Sequence, residues 1–517
     1  MEVEFSNLDK TEAFSLLRNK GISHSELSVE RIQQSETADA AGLKYNWAAM
    51  PVDEETVNLL QKLSDEQQLT EKYKLLLQGE RINTGENRLV LHHLTRGSVL
   101  NIPVNADGED KNDFYKSQLE RIQDFAFAVR SGTIKGSTGR KFNTVVQIGI
   151  GGSDLGPRAL YLALRELKTE QLNAHFISNV DPDDAIEVLK HIDFETTLFI
   201  IVSKSGTTQE TLTNMSLVLS QMQQKNIPGL IPEKHFVAVT SKTSPLATSK
   251  DVLEAFFIDD YIGGRYSSTS AVGGVILSLV YGYEVFEKIL KGAHEQDVLS
   301  LNADIRKNPA LLDALIGVYL RNILDYPYTA ILPYSQQLCR FPAHLQQLDM
   351  ESNGKHVNRF GGKIDYSTGP VVFGESGTNG QHSFYQLLHQ GTDIVPLQFI
   401  GFRKSQAGIG EDSQKKLGAN LAAQIVAFSQ GKEDDNPNKV FEGGRPSSLI
   451  YGEQLTPQSL GALLAHFENK VMYQGFIWNL NSFDQEGVQL GKLLAKKVLN
   501  GCEGDLVLKE YADRLGC

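Results

Sequence analysis

Four times between residues 144 and 281, a short run of apolar residues ends in a loop of glycine, serine or threonine and gives way to a helical stretch. The segments are TVVQIGIGG, TLFIIVSKSGTTQET, HFVAVTSKTSPLAT and AFFIDDYIGGRYSSTSAVGGVILSLV. Their strands do not alternate polar with apolar residues. A strand that is apolar on both faces has to be covered on both, so the pattern predicts a parallel sheet sandwiched between helices.

A helical bridge over roughly residues 287–325 leads into a second run of the same kind. TAILPYS, PVVFGES and IVPLQFIGF read as strands, and Ser335–Glu351 and GQHSFYQLLHQG as helices. Three more helices are expected at residues 413–430, 457–473 and 484–499, with an exposed loop over residues 431–447, which are rich in Asp, Asn, Gly and Pro. The expected fold is therefore α/β, with two α/β/α sandwiches of mostly parallel sheet over residues 111–286 and 287–500. Residues 1–110 read as a mostly helical segment packing on the second sandwich, with LVLHHL at Leu89 its first strand signal. Residues 501–517 read as a tail.

A chain of 517 residues suits two or three domains, and its 41% hydrophobic and 22% charged content is that of a globular protein. The net charge of −13 argues against a nucleic-acid or anionic-membrane binder, which needs a basic footprint. A small anionic substrate is still allowed, because a few local donors can hold a phosphate. Cys339, Cys502 and Cys517 form no CxxC pair, which suits a reducing cytosol. MEVEFSNLDK lacks the basic start and apolar core of a signal peptide. AVGGVILSLVYGY, at Ala271–Tyr283, is short of the ~20 residues of a membrane span and reads as a buried helix. The expected compartment is the cytoplasm.

Three loops have the chemistry to hold an anion. GIGGSDLG, at Gly149–Gly156, joins a strand to a helix, where backbone N–H groups can face a phosphate. Asp154 replaces the third glycine of a dinucleotide fingerprint, and no GxxxxGKS/T motif occurs, so the loop is either a phosphate site or a tight turn. In SKSGTTQET the hydroxyls of Ser203, Ser205, Thr207 and Thr208 crowd around Gly206 at a helix start, where a simple N-cap needs only one of them. Lys204 either adds charge there or is solvated. In GGRYSSTSAVGG, Arg265 either faces a developing oxyanion or makes a surface ion pair.

Proton-moving groups are fewer. Gln347 and Glu351 are four apart on one helix and share a face. Glu351 sits in the last turn against the negative end of the helix dipole, a placement suited to a base that must return its proton. Among the 12 histidines, His382 follows a glycine-rich loop at a helix start, and His389 lies two turns further on. Gln485 and Lys492 are seven apart, two turns along the expected helix of residues 484–499. Lys492 can act there near a sugar ring oxygen or phosphate, or simply occupy the wet face.

The motifs GIGGSDLGP, SKSGTTQET, IGGRYS, DMESNGK, GTNGQH and FDQEGVQLGK occur in this order. Together they closely resemble the glucose-6-phosphate isomerase family over about residues 149–492; the first two loops alone resemble the wider class of sugar-isomerase (SIS) domains. The resemblance implies two SIS-type domains and a cofactor-free homodimer with active sites shared at the subunit interface. It implies interconversion of glucose 6-phosphate and fructose 6-phosphate, with no nucleic acid or membrane as partner. Glu351 is then the base between C1 and C2, His382 from the partner subunit assists ring opening, Lys492 serves the ring oxygen and Arg265 stabilises the enediolate. Gly152, Ser153, Ser203, Lys204, Ser205 and Thr208 surround the phosphate, and Thr211, Gln347 and Gln485 complete the pocket. Family members usually read FDQWGVE where this chain has Glu486 and Gln489, and Ser268 stands where Thr or an apolar residue is common. The rival readings are an isomerase of another phosphosugar and a non-catalytic phosphosugar-sensing regulator. A metal-dependent isomerase is disfavoured, because no His and carboxylate spacing suits a ligand set.

Overall fold

The computed structural model describes residues 3–20, 26–167 and 172–517. Met1 and Glu2, where the signal-peptide reading starts, lie outside them. In chain order, β1 (Glu36–Ala38) and β2 (Lys44–Asn46) form an antiparallel hairpin, as do the short β3 (Asn105–Ala106) and β4 (Glu109–Asp110). A five-stranded sheet follows: β5 (Thr144–Ile148), β6 (Asn173–Ile177), β7 (Thr197–Val202), β8 (Phe236–Thr240) and β9 (Glu254–Phe257). Its order is β6-β5-β7-β8-β9, and every pairing is parallel. Each residue of β5, β7 and β8 is buried, which is why those strands show no polar alternation. The edge strand β6 is interrupted by Asn173 and His175, and it was not legible in the sequence.

The second sheet comprises β10 (Tyr328–Tyr334), β11 (Val371–Gly374), β12 (Leu397–Lys404) and β13 (Ser447–Gln454) with the N-terminal hairpin. Its order is β1-β2-β13-β12-β10-β11, parallel except at the hairpin, where Tyr45 of β2 faces Ile450 of β13. The fold class is thus α/β with mostly parallel sheets, as expected. Two readings of the first 110 residues are corrected. The segment supplies two strands to a sheet, and LVLHHL is no strand but runs into the buried 3-10 turn His92–Arg96.

The predicted helices differ in detail. Ser335–Glu351 is broken into a 3-10 turn Gln336–Leu338, a helix Phe341–Gln346 with Pro342 in its first turn, and a π-turn Gln347–Glu351. Helical backbone continues through Asn353, two residues past the predicted stop. GQHSFYQLLHQG splits into Gly377–Gln381 and Tyr385–Gln390. The last predicted helix starts late, at Gln489, after a 3-10 turn Glu486–Val488. Gln485 therefore lies off the helix and shares no face with Lys492. The tail of residues 501–517 contains a helix, Leu506–Leu515. Ala271–Tyr281 is a helix buried at every residue, as read. Among the described residues no helix is long and apolar enough to cross a membrane.

Helix Pro457–Ile477 forms the spine of the core. Thr456 and Ser459 close a capping box around its N-terminus, Pro457 occupies the first turn, and nearly every residue is buried. A helix buried all round must pair its polar side chains internally. Glu468 bonds the Arg96 guanidinium, which also faces Asp297 at 3.4 Å. His466 bonds Asp39 at 2.8 Å and Asp313 at 3.2 Å, and Lys470 bonds Asp313 at 2.9 Å. Burial alone would lower the His466 imidazolium, but the flanking carboxylates hold it up at about 9.

Candidate active site

Ligands in open parallel sheets bind outside the carboxyl ends of the strands, and the three candidate loops meet there. A Cβ on Gly152 would collide with the backbone of Gly264, so the first loop can lie directly on the loop that carries Arg265. The second loop reaches the same place through Lys204, whose Nζ donates to the Ile262 carbonyl at 3.2 Å. Burial pushes the Lys204 ammonium below the usual lysine range. Ser153, half-buried, lies in the 3-10 turn Gly151–Ser153.

The second loop turns on Gly206, at φ +65°, a left-handed conformation that suits glycine. Thr208 occupies the N-cap of helix Gln209–Lys225, but its side chain makes no capping hydrogen bond. Its hydroxyl lies 2.9 Å from that of Ser203 instead, and Ser205 Oγ accepts from the N–H and hydroxyl of Thr207. The hydroxyls thus cluster with one another and leave the helix N-terminus uncapped by side chains. Such an end, with free backbone donors, favours an anion. Thr211, one turn on, is buried with its hydroxyl unpartnered.

Arg265 is only 1% exposed, so it is not a surface arginine. Its Nε donates to Ser352 Oγ at 2.7 Å, and its Nη2 donates to the carbonyls of Ser482 at 2.6 Å and Asp484 at 2.9 Å. Its Nη1 is left facing Glu351 Oε1 at 3.5 Å. One guanidinium thereby joins the third loop, the end of the π-turn and the segment before Gln485. The Tyr266 hydroxyl, 3.2 Å from Ser352 Oγ, braces the same point.

Glu351 lines a cleft of about 950 Å³ with Gln347, Lys355, Asp484 and Gln485. A side chain on Gly151 would come within 3.3 Å of Gln347 Nε2, so the amide reaches back to the first loop. Lys355, the last residue of DMESNGK, has no role that the sequence assigns. It pairs with Asp484 at 2.7 Å, and burial lowers its ammonium. Only its position four residues after Glu351, on a chain already leaving the helix, hinted at this. Among the described residues, no group of three or more His, Cys, Asp or Glu side chains is placed to hold a metal ion.

Two predicted residues stand apart. His382 ends helix Gly377–Gln381 in an exposed position and does not line the cleft. Lys492 lies on the exposed helix Gln489–Leu499, also outside the cleft lining. That helix leaves Leu490 and Leu493 each 65% exposed. His389, the other candidate on that stretch, stacks on Phe428 at 3.7 Å and bonds Gln424, which is a packing role.

The family model described as phosphoglucose isomerase matches residues 46–513. This chain belongs to that family. A glucose-6-phosphate isomerase of Treponema denticola is 60% identical over 96% of this chain and 97% of its own length. One from Borreliella burgdorferi is 47% identical over 99% of both. The crystal structure of a glucose-6-phosphate isomerase from Chlamydia trachomatis superposes with a TM-score of 0.92, at 42% identity and 99% coverage of both chains. Membership in the phosphoglucose isomerase family favours a catalyst over the non-catalytic regulator.

Proposed function

We infer that this chain interconverts glucose 6-phosphate and fructose 6-phosphate. The observation that carries the chemistry is Glu351 in a cleft, facing the buried Arg265 guanidinium at 3.5 Å. A carboxylate takes the C2 proton of the opened aldose and returns it to C1 through a cis-enediol. The adjacent guanidinium stabilises the negative charge that develops on the enediolate oxygens. Gln347 and Gln485, lining the same cleft, orient the sugar hydroxyls.

The phosphate sits on the convergent loops, held by the backbone at Gly152, by Ser153, Ser203, Ser205 and Thr208, and by the Lys204 charge. It is remote from C1 and C2, so its binding energy holds the reacting carbons in place. Replacing Ser205 and Thr208 together by alanine is expected to act mainly on KM, raising it about tenfold or more, with a smaller fall in kcat as the reacting carbons are held less firmly, because a hydrogen bond to a charged group is worth about 1.5–3 kcal/mol. An unchanged KM in steady-state assays would remove these residues from the phosphate site.

Ring opening needs an acid–base pair, which we assign to Lys492 and to His382 acting from a second copy in a homodimer. His382 points this way by being exposed and outside the cleft of its own chain, and the apolar residues on the outside of helix Gln489–Leu499 suit burial against another surface. The test begins with a coupled assay of fructose 6-phosphate conversion, with and without EDTA. Absence of activity, or dependence on added metal, overturns the function. Glu351→Gln and His382→Ala subunits are then dissociated and reassembled together. Random pairing gives heterodimers with one intact site each, restoring about a quarter of wild-type activity. No recovery would place His382 in its own chain's site.

A further inference from the structure

The π-turn that carries Glu351 faces two ways. Gln347, Met350 and Glu351 line the substrate cleft, whereas Leu348 and Asp349 are buried behind it. Asp349 lines a separate small cavity of about 40 Å³. The polar groups around that cavity come from several elements that meet behind the turn, Tyr326 just before β10 and Thr329 near its start among them. Lys470 and Gln474 belong to helix Pro457–Ile477, Asp313 and Arg321 to helix Pro309–Asn322, Gln398 to β12 and Ser448 to β13. Lys470 is already engaged by Asp313 and by Gln398 Oε1, both at 2.9 Å. Asp313 is further held by His466, Gln398 and Tyr45. Among the described residues the Asp349 side chain has no hydrogen-bond or ion-pair partner shown, and its Oδ1 is buried without one.

We propose that Asp349 is a positioning residue for the isomerisation: buried behind the π-turn, it seats that turn against the core and so sets where Glu351 stands. The proposal rests on Glu351 being the base. A π-turn inserts an extra residue into the helical ladder, and such bulges are frequent at functional sites. Its geometry therefore depends on how its inward side chains seat, here Leu348 and Asp349. A cavity of this size admits a water, through which a protonated carboxyl can donate to Gln474 Oε1 or Ser448 Oγ, both buried and without partners. Burial raises the Asp349 carboxyl to about 7, with Asp313 reinforcing the rise and Lys470 opposing it. Asparagine matches the neutral acid in shape and donor capacity; alanine removes both.

The test compares kcat, KM and melting temperature of wild type, Asp349→Asn and Asp349→Ala. The alanine variant is expected to lose about tenfold in kcat with KM within about twofold, and the asparagine variant to recover kcat to within about threefold of wild type. Because the folded carboxyl binds its proton more tightly than the unfolded one, wild type loses stability as pH rises through about 4 to 7, whereas asparagine does not titrate. The melting temperature of Asp349→Asn should therefore gain on wild type by a few degrees between about pH 5 and 8. An asparagine variant as slow as the alanine variant overturns the proposal, as does an alanine variant with unchanged kcat or a gap that does not widen. If the alanine variant does not fold, the asparagine variant decides through its kcat and its melts. The melts need no substrate, so their outcome is separate from an inactive wild type, which would instead overturn the function.

Discussion

Glu351→Gln is expected to lower kcat by about 10²–10⁴-fold, the usual contribution of a positioned general base, while sugar-phosphate binding survives. The substitution keeps the side chain's size and leaves an amide oxygen able to accept from Arg265 Nη1, now 3.5 Å from Glu351 Oε1. The cleft should thus keep its shape and lose only a group that can accept and return a proton. Two measurements separate these effects. Calorimetric affinity for fructose 6-phosphate should remain within a few-fold of wild type, and exchange of the C2 hydrogen with deuterated water, followed by NMR, should cease. Near-normal turnover would sink the assignment of the base.

Arg265→Lys should be nearly as damaging, although charge is conserved. The guanidinium serves Ser352, Ser482, Asp484 and Glu351 from one planar fork, and a lysine ammonium cannot span four such positions. Two losses are expected. Turnover should fall about 10²–10³-fold, the range seen when a preorganised donor to a developing oxyanion is removed. Stability should drop by about 1–3 kcal/mol as buried carbonyls lose their donors. Chemical denaturation together with steady-state kinetics separates the two. A variant that is fully active and merely less stable would confine Arg265 to holding the segments together.

How much was legible in the chain depended on how local the information was. β5, β7 and β8 were plain because both their faces are buried and their residues are mostly apolar. β6 carries polar residues on a sheet edge, β13 mixes Ser, Tyr, Glu and Gln into its eight residues, and β1 and β2 are three residues each. Such strands have no periodicity of their own and are made by their neighbours. The helix through Glu351 looked continuous because apolar spacing does not register an inserted residue; the π-turn is set by how Leu348 and Asp349 seat in the core. Gln485 and Lys492 kept a seven-residue spacing, yet the 3-10 turn at Glu486–Val488 puts them on different elements.

The sequence by itself determined the repeated strand–loop–helix units, the hydroxyl-rich loop around Gly206 and, through six ordered motifs, Glu351 as the candidate base. The first two are written in residues adjacent along the chain, where backbone propensity and apolar period act directly; the third is what the family resemblance of the six motifs implies. Only the tertiary structure decided that Arg265 is buried against Glu351, that Lys355 joins the cleft, that His382 stands outside it and that Asp349 backs the turn. Those relations join segments far apart in the chain. They depend on which surfaces pack together, and no local period records that choice.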